Sequence, residues 1–198
     1  MITHKALQRH RVLGVGLIVG GLLGLVAAFA LTLEKFAVLE HPTQQLSCNI
    51  SALIGCGVSL DSEQGALLGF PNSMFGLMFW SALITFGLVA VWGDLSRGMW
   101  VLLAAGMTGA FALVVWFIVQ SIYVIGVLCP WCMLTWVVTI PLFITVVLHV
   151  LRSGALPAPL AVRTAARALY SWWPVVSLSI VVIIVILAQT RLDVLRSF

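Results

Sequence analysis

Four cysteines, arranged as two pairs, are the residues of this chain that could carry redox chemistry. Cys48 and Cys56 lie eight residues apart in a polar stretch between hydrophobic segments. The second pair opens a later hydrophobic segment, in the sequence Cys129-Pro130-Trp131-Cys132, and the 198 residues contain no other cysteine. Two dithiol pairs that meet at one face of a membrane can pass electrons by thiol–disulfide exchange.

The spacing of the second pair suits a redox-active dithiol at the start of a helix. Residues three apart share a helix face, so the thiols of Cys129 and Cys132 can both point into a bundle and form a disulfide. Pro130 is tolerated in the first helical turn. A helix N-terminus favours a thiolate, most strongly at Cys129. The same spacing also occurs as half of a metal site, which would need two further ligands.

The first pair has two interpretations. Gly55 and Gly57 flank Cys56 and loosen the backbone there, which would let Cys56 exchange one disulfide partner for another. Alternatively, Cys48 and Cys56 form a static disulfide that closes a small loop, as in many proteins of oxidising compartments.

The composition predicts that these pairs are held by helices in a membrane. Hydrophobic residues make up 62% of the chain and charged residues only 8%. Runs of about 20 apolar residues are long enough to span the hydrocarbon, and we predict five spans at about residues 11–33, 73–92, 99–126, 129–151 and 174–189. Gly126 and Pro130 predict a tight turn between the third and fourth spans. Since the basic residues cluster between the spans rather than along one stripe, no nucleic acid partner is expected.

The distribution of basic residues predicts the orientation. Seven of the ten Lys and Arg residues fall on the side of the N-terminus, and three fall on the opposite side. An excess of basic residues marks the cytoplasmic side, so we predict a cytoplasmic N-terminus and cysteines on the outer face. Disulfide chemistry needs an oxidising compartment, and the outer face of a bacterial inner membrane provides one. The inner group is Lys5, Arg9, Arg11, Arg97, Arg152, Arg163 and Arg167; the outer group is Lys35, Arg191 and Arg196.

The polar segment of residues 34–72, which carries the first cysteine pair, is expected to form short amphipathic helices that lie on the membrane surface and cap the bundle. Asp61 and Gln64 resemble the residue pair that starts a helix. Residues 152–173, with two prolines and three arginines, are expected to form an inner surface linker with partial helix.

A wider set of residues resembles the vitamin K epoxide reductase family, and most closely its bacterial branch that drives disulfide formation. The resemblance covers about residues 13–151. It implies an all-α integral membrane protein: a four-helix bundle around a quinone, beneath an amphipathic cysteine loop. We accordingly expect a catalytic domain at 1–151, a cytoplasmic linker at 152–173, and a fifth transmembrane helix with a short outer tail at 174–198. The matching positions are Cys48, Cys56, Ser62, Gly69-Phe70-Pro71-Asn72-Ser73, Phe75-Gly76 and Cys129-Pro130-Trp131-Cys132.

The resemblance also implies residue roles. Cys48 and Cys56 would be the outer shuttle pair; Cys129 and Cys132 would be the inner pair, with Cys132 nearest the quinone. Asn72 would donate a hydrogen bond to a quinone carbonyl. Phe75 would line the ring pocket and Ser62 would steady the loop. Trp136 stands where the family often has a tyrosine donor, and its indole N–H could donate from a different geometry.

Three of these residues also have simpler interpretations. Asn72 could cap the second span, and Ser62 could satisfy a backbone group in its own turn. Phe75 shares helical spacing with Phe79 and could serve only in packing.

The function implied by the resemblance is a membrane thiol oxidase. It would reoxidise a separate, extracytoplasmic thioredoxin-like protein and reduce a membrane quinone of the menaquinone, ubiquinone or vitamin K type. A separate partner is expected because the chain stops at Phe198, where many bacterial relatives continue into a thioredoxin-like domain. The alternatives are a quinone or vitamin K epoxide reductase in another pathway, a thiolate metal transporter, and a structural membrane protein with two inert disulfides.

Overall fold

The computed structural model describes residues 4–41, 46–67 and 69–193, and residues 4–9 only as backbone. Lys5, Arg9 and Arg196, which entered the orientation prediction, therefore lie outside the described side chains. The described α-helices are α1 (His4–Glu40), α2 (Gly57–Asp61), α3 (Asn72–Trp92), α4 (Arg97–Val119), α5 (Pro130–Ser153), α6 (Leu160–Leu169) and α7 (Trp173–Leu192). Within the described residues, five segments are long and apolar enough to cross a membrane, which confirms the predicted all-α membrane architecture.

The predicted end of the first span was wrong. Helix α1 continues to Glu40, well beyond residue 33, so the non-helical part of the polar segment starts at His41. The intervening residues include leucine, glutamate, lysine and alanine, which favour helix, and no proline or glycine stops the helix before His41. The last turns of α1 therefore carry Lys35 alongside the cysteine loop.

Helix α1 packs along both α3 and α5, and α5 also packs against α4, α6 and α7. Small residues let α1 and α3 approach closely: a Cβ atom added to Gly14 would lie 2.9 Å from the carbonyl oxygen of Gly87. The core between the helices is filled by aliphatic side chains with little or no exposure, including Leu17, Leu83, Met107 and Val146. The cysteines lie at one end of the bundle, and the basic residues around Arg97 lie at the other.

The predicted tight turn between the third and fourth spans is present. Helix α4 widens into a π-helical turn, Gln120–Ile125, and ends at Gly126, whose φ of 73° is readily adopted by glycine. Pro130 occupies the first turn of α5, where its missing N–H group leaves no helical bond unmade. This connection sets Cys129 immediately before α5, at the same end of the bundle as Cys48.

The predicted linker at 152–173 is more ordered than expected. Helix α5 continues to Ser153, and α6 with a 3₁₀ turn (Tyr170–Trp172) fills most of the remainder. Arg97 Nε donates to the carbonyl oxygen of Ala155 at 2.6 Å, which joins the start of α4 to the α5–α6 connection. Helix α7 then packs Ala188 against the cluster of Ile122, Leu128 and Trp136. The predicted division into domains stays a prediction.

Candidate functional site

The structure brings the two cysteine pairs together. Cys48 and Cys56 form a disulfide, and Cys129 and Cys132 are free thiols. The Cys129 sulfur lies 3.3 Å from the Cys56 sulfur, although the two residues are 73 positions apart in sequence. Both of these sulfurs belong to residues with no solvent exposure. The arrangement sets a thiol in contact with a disulfide, and such proximity is a requirement of thiol–disulfide exchange.

A short backbone pairing holds the cysteine loop against the start of α5. The N–H of Gly55 donates to the carbonyl oxygen of Leu128 at 3.0 Å, and the N–H of Leu128 donates to that of Leu53 at 2.9 Å. These bonds fix the residues just before Cys56 beside the residue just before Cys129. The contact between the two sulfurs is therefore built by the main chain, not only by the side chains that meet.

Asn49 is a site residue that the sequence analysis missed. Its Oδ1 atom accepts hydrogen bonds from the N–H groups of Cys56, at 3.0 Å, and Gly57, at 3.4 Å. The side chain thus satisfies backbone donors at the start of α2, where the helix itself supplies no acceptor. An asparagine so far ahead of the helix it caps gives no recognisable signal in sequence, because common capping residues lie next to the helix start.

The inner cysteine pair follows the expected helix-start geometry. Cys129 is the residue before α5, and Cys132 lies in its first turn. A hydrogen bond from the Cys132 thiol, helped by backbone bonds from Cys132 and Trp131, lowers the pKa of Cys129, although its burial acts in the opposite direction. A larger share of Cys129 is consequently thiolate at a given pH, and Cys129 is also the cysteine that touches Cys56.

A cavity of about 690 Å³ opens beneath the cysteines, and Cys132 forms part of its wall. Its size falls within the range of pockets that hold small organic ligands. Its surface is mainly apolar, supplied by α1, α3, α4 and α5, and the segment around α2 covers it. All four predicted quinone-site residues, Ser62, Asn72, Phe75 and Trp136, line this cavity together with Cys132.

Asn72 does not cap the second span, so that simpler interpretation was wrong. Pro71 precedes α3, and the Asn72 side chain makes no capping bond. Instead its Oδ1 atom accepts from the N–H of Leu67 at 3.1 Å, and its Nδ2 atom donates to the carbonyl oxygen of Gln64. The Asn72 side chain therefore joins the segment that covers the cavity to the start of α3. Asn72 lines the cavity, and since a primary amide has two N–H donors, one is left after the bond to Gln64.

Both Phe75 and Ser62 line the cavity, but Phe75 contributes an aromatic ring and Ser62 is bonded within its own turn. The Phe75 ring lines the cavity and stacks on Phe70, with centroids 4.5 Å apart, so Phe70 supports the ring without lining the cavity itself. The Ser62 hydroxyl donates to the carbonyl oxygen of Ser59 at 2.8 Å and accepts from the N–H of Gly65 at 3.2 Å. These bonds satisfy its own turn, as the simpler interpretation stated.

The helix start predicted at Asp61 was wrong. Asp61 is the last residue of α2, and Ser62 caps the following 3₁₀ turn, Glu63–Ala66. Asp61 instead meets Lys35, another residue that the sequence analysis did not assign to the site. The Lys35 ammonium lies 3.2 Å from Oδ1 of Asp61 and donates to the carbonyl oxygen of Leu60 at 2.7 Å. Lys35 also lines the cavity, so it joins α1 to the segment that covers the site.

Trp136 is buried in the cavity wall with only 5% exposure. Among the described residues, no acceptor lies within hydrogen-bonding distance of its indole N–H, although buried tryptophans usually have one. The side chain packs in the cluster that includes Ile122 and Ala188, so α4 and α7 hold the ring in its position.

Comparison with known proteins identifies a relationship over most of the chain. A family model described as the vitamin K epoxide reductase family matches residues 15–147. This range contains all four cysteines and every cavity-lining residue discussed above. A search of curated proteins finds no match.

Proposed function

The chain belongs to the vitamin K epoxide reductase family, and we propose that it is a membrane thiol oxidase. Family membership implies a redox function in a multi-pass membrane protein. The proposal adds that the protein oxidises the dithiol of a thioredoxin-like partner and delivers the electrons to a membrane quinone. One observation carries it: the Cys129 sulfur touches the outer disulfide while Cys132, on the same helix turn, reaches the apolar cavity.

The outer half of the reaction begins with both cysteine pairs oxidised. A thiolate of the partner attacks the Cys48 sulfur, the Cys48–Cys56 bond breaks, and Cys56 leaves as a thiolate. The partner's second thiolate then displaces Cys48, so the partner departs as a disulfide. Cys48 has only 5% exposure, while neighbouring Ser47 and Asn49 are exposed. A partner must therefore displace part of the loop to reach the sulfur.

The inner half of the reaction moves the two electrons to the cavity. The Cys56 thiolate attacks Cys129, forms the Cys56–Cys129 bond and releases Cys132. Attack of Cys48 on Cys56 then restores the outer disulfide and frees Cys129. The result is an outer disulfide with two inner thiols, which is the combination found in the structure. Each exchange breaks one disulfide bond and forms another, so the number of disulfide bonds stays constant. No external oxidant is therefore consumed until the inner pair is reoxidised.

The cavity residues fit a quinone in size and chemistry. Apolar walls suit an apolar ring system, Phe75 offers a stacking surface, and Asn72 and Trp136 each offer an N–H donor for a ring carbonyl. A bound quinone would accept two electrons and two protons and leave as the quinol. The task of Cys132 is to present its sulfur at the cavity wall, where Cys129 can close the inner disulfide.

The proposed location is a bacterial inner membrane with the N-terminus in the cytoplasm and the cysteines outside. Support comes from the basic residues of the end opposite the cysteines: Arg97 bonds to the α5–α6 connection, and Arg163 lies against Gly154 at the end of α5. An excess of basic residues marks a cytoplasmic face. A membrane-impermeant maleimide, applied to reduced whole cells, should label Cys48. Labelling only after the membrane is permeabilised would contradict this orientation.

The function is tested by reduction of the purified protein followed by removal of the reductant under anaerobic conditions. Addition of a short-chain quinone should restore both disulfides and yield quinol. In Cys132→Ala, the same addition should yield no quinol because the second sulfur of the inner pair is missing. Wild-type protein whose thiols stay reduced in the presence of quinone would refute the proposal, and stable retention of a thiophilic metal would favour a transporter.

A further inference from the structure

We propose that the Ser121 hydroxyl donates a hydrogen bond to a carbonyl oxygen of the bound quinone. Ser121 lies in the π-helical turn at the cysteine end of α4 and lines the same cavity as Cys132 and Trp136. The inference deepens the proposed function and rests on it, because it assigns a substrate contact within that site.

Ser121 differs from the other buried hydroxyl residues of the described chain. A serine or threonine within a helix commonly donates to a carbonyl oxygen one turn earlier. Thr32 donates to Ala28, Thr139 to Thr135, Thr145 to Pro141 and Ser177 to Trp173, at 2.7–2.8 Å. Ser121 is equally buried, with 6% exposure, yet none of the described residues bonds to its hydroxyl.

The backbone around Ser121 departs from regular α-helix. From Gln120 to Ile125 the helix is wider than an α-helix, and the N–H of Gly126 donates to the Ser121 carbonyl five residues earlier. Such π-helical turns are uncommon and occur frequently at functional sites. Ser121 lines the cavity and its hydroxyl has no bond to the described chain, so it is free to donate to an acceptor on an occupant of the cavity.

The neighbouring hydroxyls on the same side of the cavity are already used. Thr135 donates to the carbonyl oxygen of Cys132, and Thr139 donates to that of Thr135, both at 2.7 Å. Ser121 and the Trp136 indole are thus the unoccupied donors that α4 and α5 present to the cavity, apart from the Cys132 thiol. Their position suits the reaction because Ser121 and Cys132 both line the cavity and both lie close in sequence to the turn that joins α4 and α5.

The test uses two isosteric replacements, Ser121→Thr and Ser121→Val, which have the same shape and differ by a hydroxyl. With a short-chain quinone and a dithiol substrate, the valine variant should have a quinone KM about threefold to tenfold higher than the threonine variant, the range expected for one lost hydrogen bond. The KM for the dithiol should be equal in the two. Ser177→Ala, which removes a buried hydroxyl from α7, should leave the quinone KM within about twofold of wild type.

Two results separate failure of this inference from failure of the proposed function. Equal quinone KM and kcat values for the threonine and valine variants, in a protein that does reduce quinone, would overturn the role of Ser121 alone. A wild-type protein that reduces no quinone would overturn both. The threonine and valine side chains have the same shape, so any difference in thermal stability between the two variants is caused by the hydroxyl group. An equal loss of activity in both variants would also refute the inference.

Discussion

Substitution of Gly24 by alanine tests the close packing of α1 against a wall of the cavity. A Cβ atom at this position would lie 2.6 Å from Cε3 of Trp80 and closer still to two other atoms of the ring. Trp80 has only 4% exposure and lines the cavity, so its ring cannot retreat from α1 without moving other buried groups or entering the cavity. Gly24→Ala should therefore strain the fold and narrow the site.

The size of this effect can be isolated with a control on the same helix. Overpacking by a methyl group typically costs about 1–3 kcal/mol, whereas replacing a helical glycine by alanine gains about 1 kcal/mol of helix propensity. Replacing Gly16 by alanine should give the same gain in helix propensity, but a Cβ atom there would meet nothing within 4 Å. The difference in unfolding free energy between Gly24→Ala and Gly16→Ala should therefore equal the overpacking cost of about 1–3 kcal/mol.

Equilibrium unfolding in detergent, followed by far-UV circular dichroism, measures this difference. Gly24→Ala should also raise the quinone KM relative to Gly16→Ala, because the displaced indole belongs to the cavity wall. A second change, Trp80→Leu, should recover part of the lost stability of Gly24→Ala by removing the ring that the methyl group meets. Equal stabilities for the two alanine variants, within about 0.5 kcal/mol, would show that the close approach of α1 to Trp80 does not exist in the native protein.

Three further predictions concern the relay and the cavity. Cys48→Ala and Cys132→Ala should each accumulate a Cys56–Cys129 disulfide in non-reducing peptide maps, because each lacks one of the two thiols, Cys48 and Cys132, that can resolve it; absence of that bond in both would mean that the pairs do not exchange. Asn72→Ala should lower both quinone turnover and thermal stability, because it removes the bonds to Leu67 and Gln64 as well as the donor to the cavity; unchanged turnover would exclude Asn72 from the quinone site. In fully reduced protein, the alkylation of Cys129 should have a pH midpoint below the ordinary thiol value of 9.0, because the bond from Cys132 lowers its pKa and more thiolate is present at a given pH. Cys132→Ala should raise that midpoint, and a midpoint unaffected by the substitution would contradict the cause given for the shift.

Local features of the sequence were sufficient to predict the membrane architecture. Hydropathy identifies a membrane span from a single continuous run of residues, so the five spans could be predicted without any tertiary contact. The turn at Gly126 and Pro130 was predicted for a similar reason, since glycine and proline restrict their own backbone. The errors at Glu40 and Asp61 concern helix ends, where weak local preferences compete with packing.

The residues of the site were found by sequence only where a motif made them recognisable. The four cysteines and Asn72, Phe75, Trp136 and Ser62 were selected by type, spacing and resemblance, and all lie around one cavity or its cover. Asn49, Lys35 and Ser121 were missed because their significance depends on which distant groups they meet. A charged or polar side chain gives no sign in sequence of whether the fold supplies its hydrogen-bond partner.

What the sequence by itself determined was a helical membrane protein with two cysteine pairs at one end. What only the tertiary structure decided was that these pairs touch and that one of them reaches a cavity. Contact between Cys56 and Cys129 depends on the backbone pairing of Leu53 and Gly55 with Leu128, far away in sequence. Such a contact is formed by the packing of α1, α3, α4 and α5 together, and no local pattern of residue types encodes it.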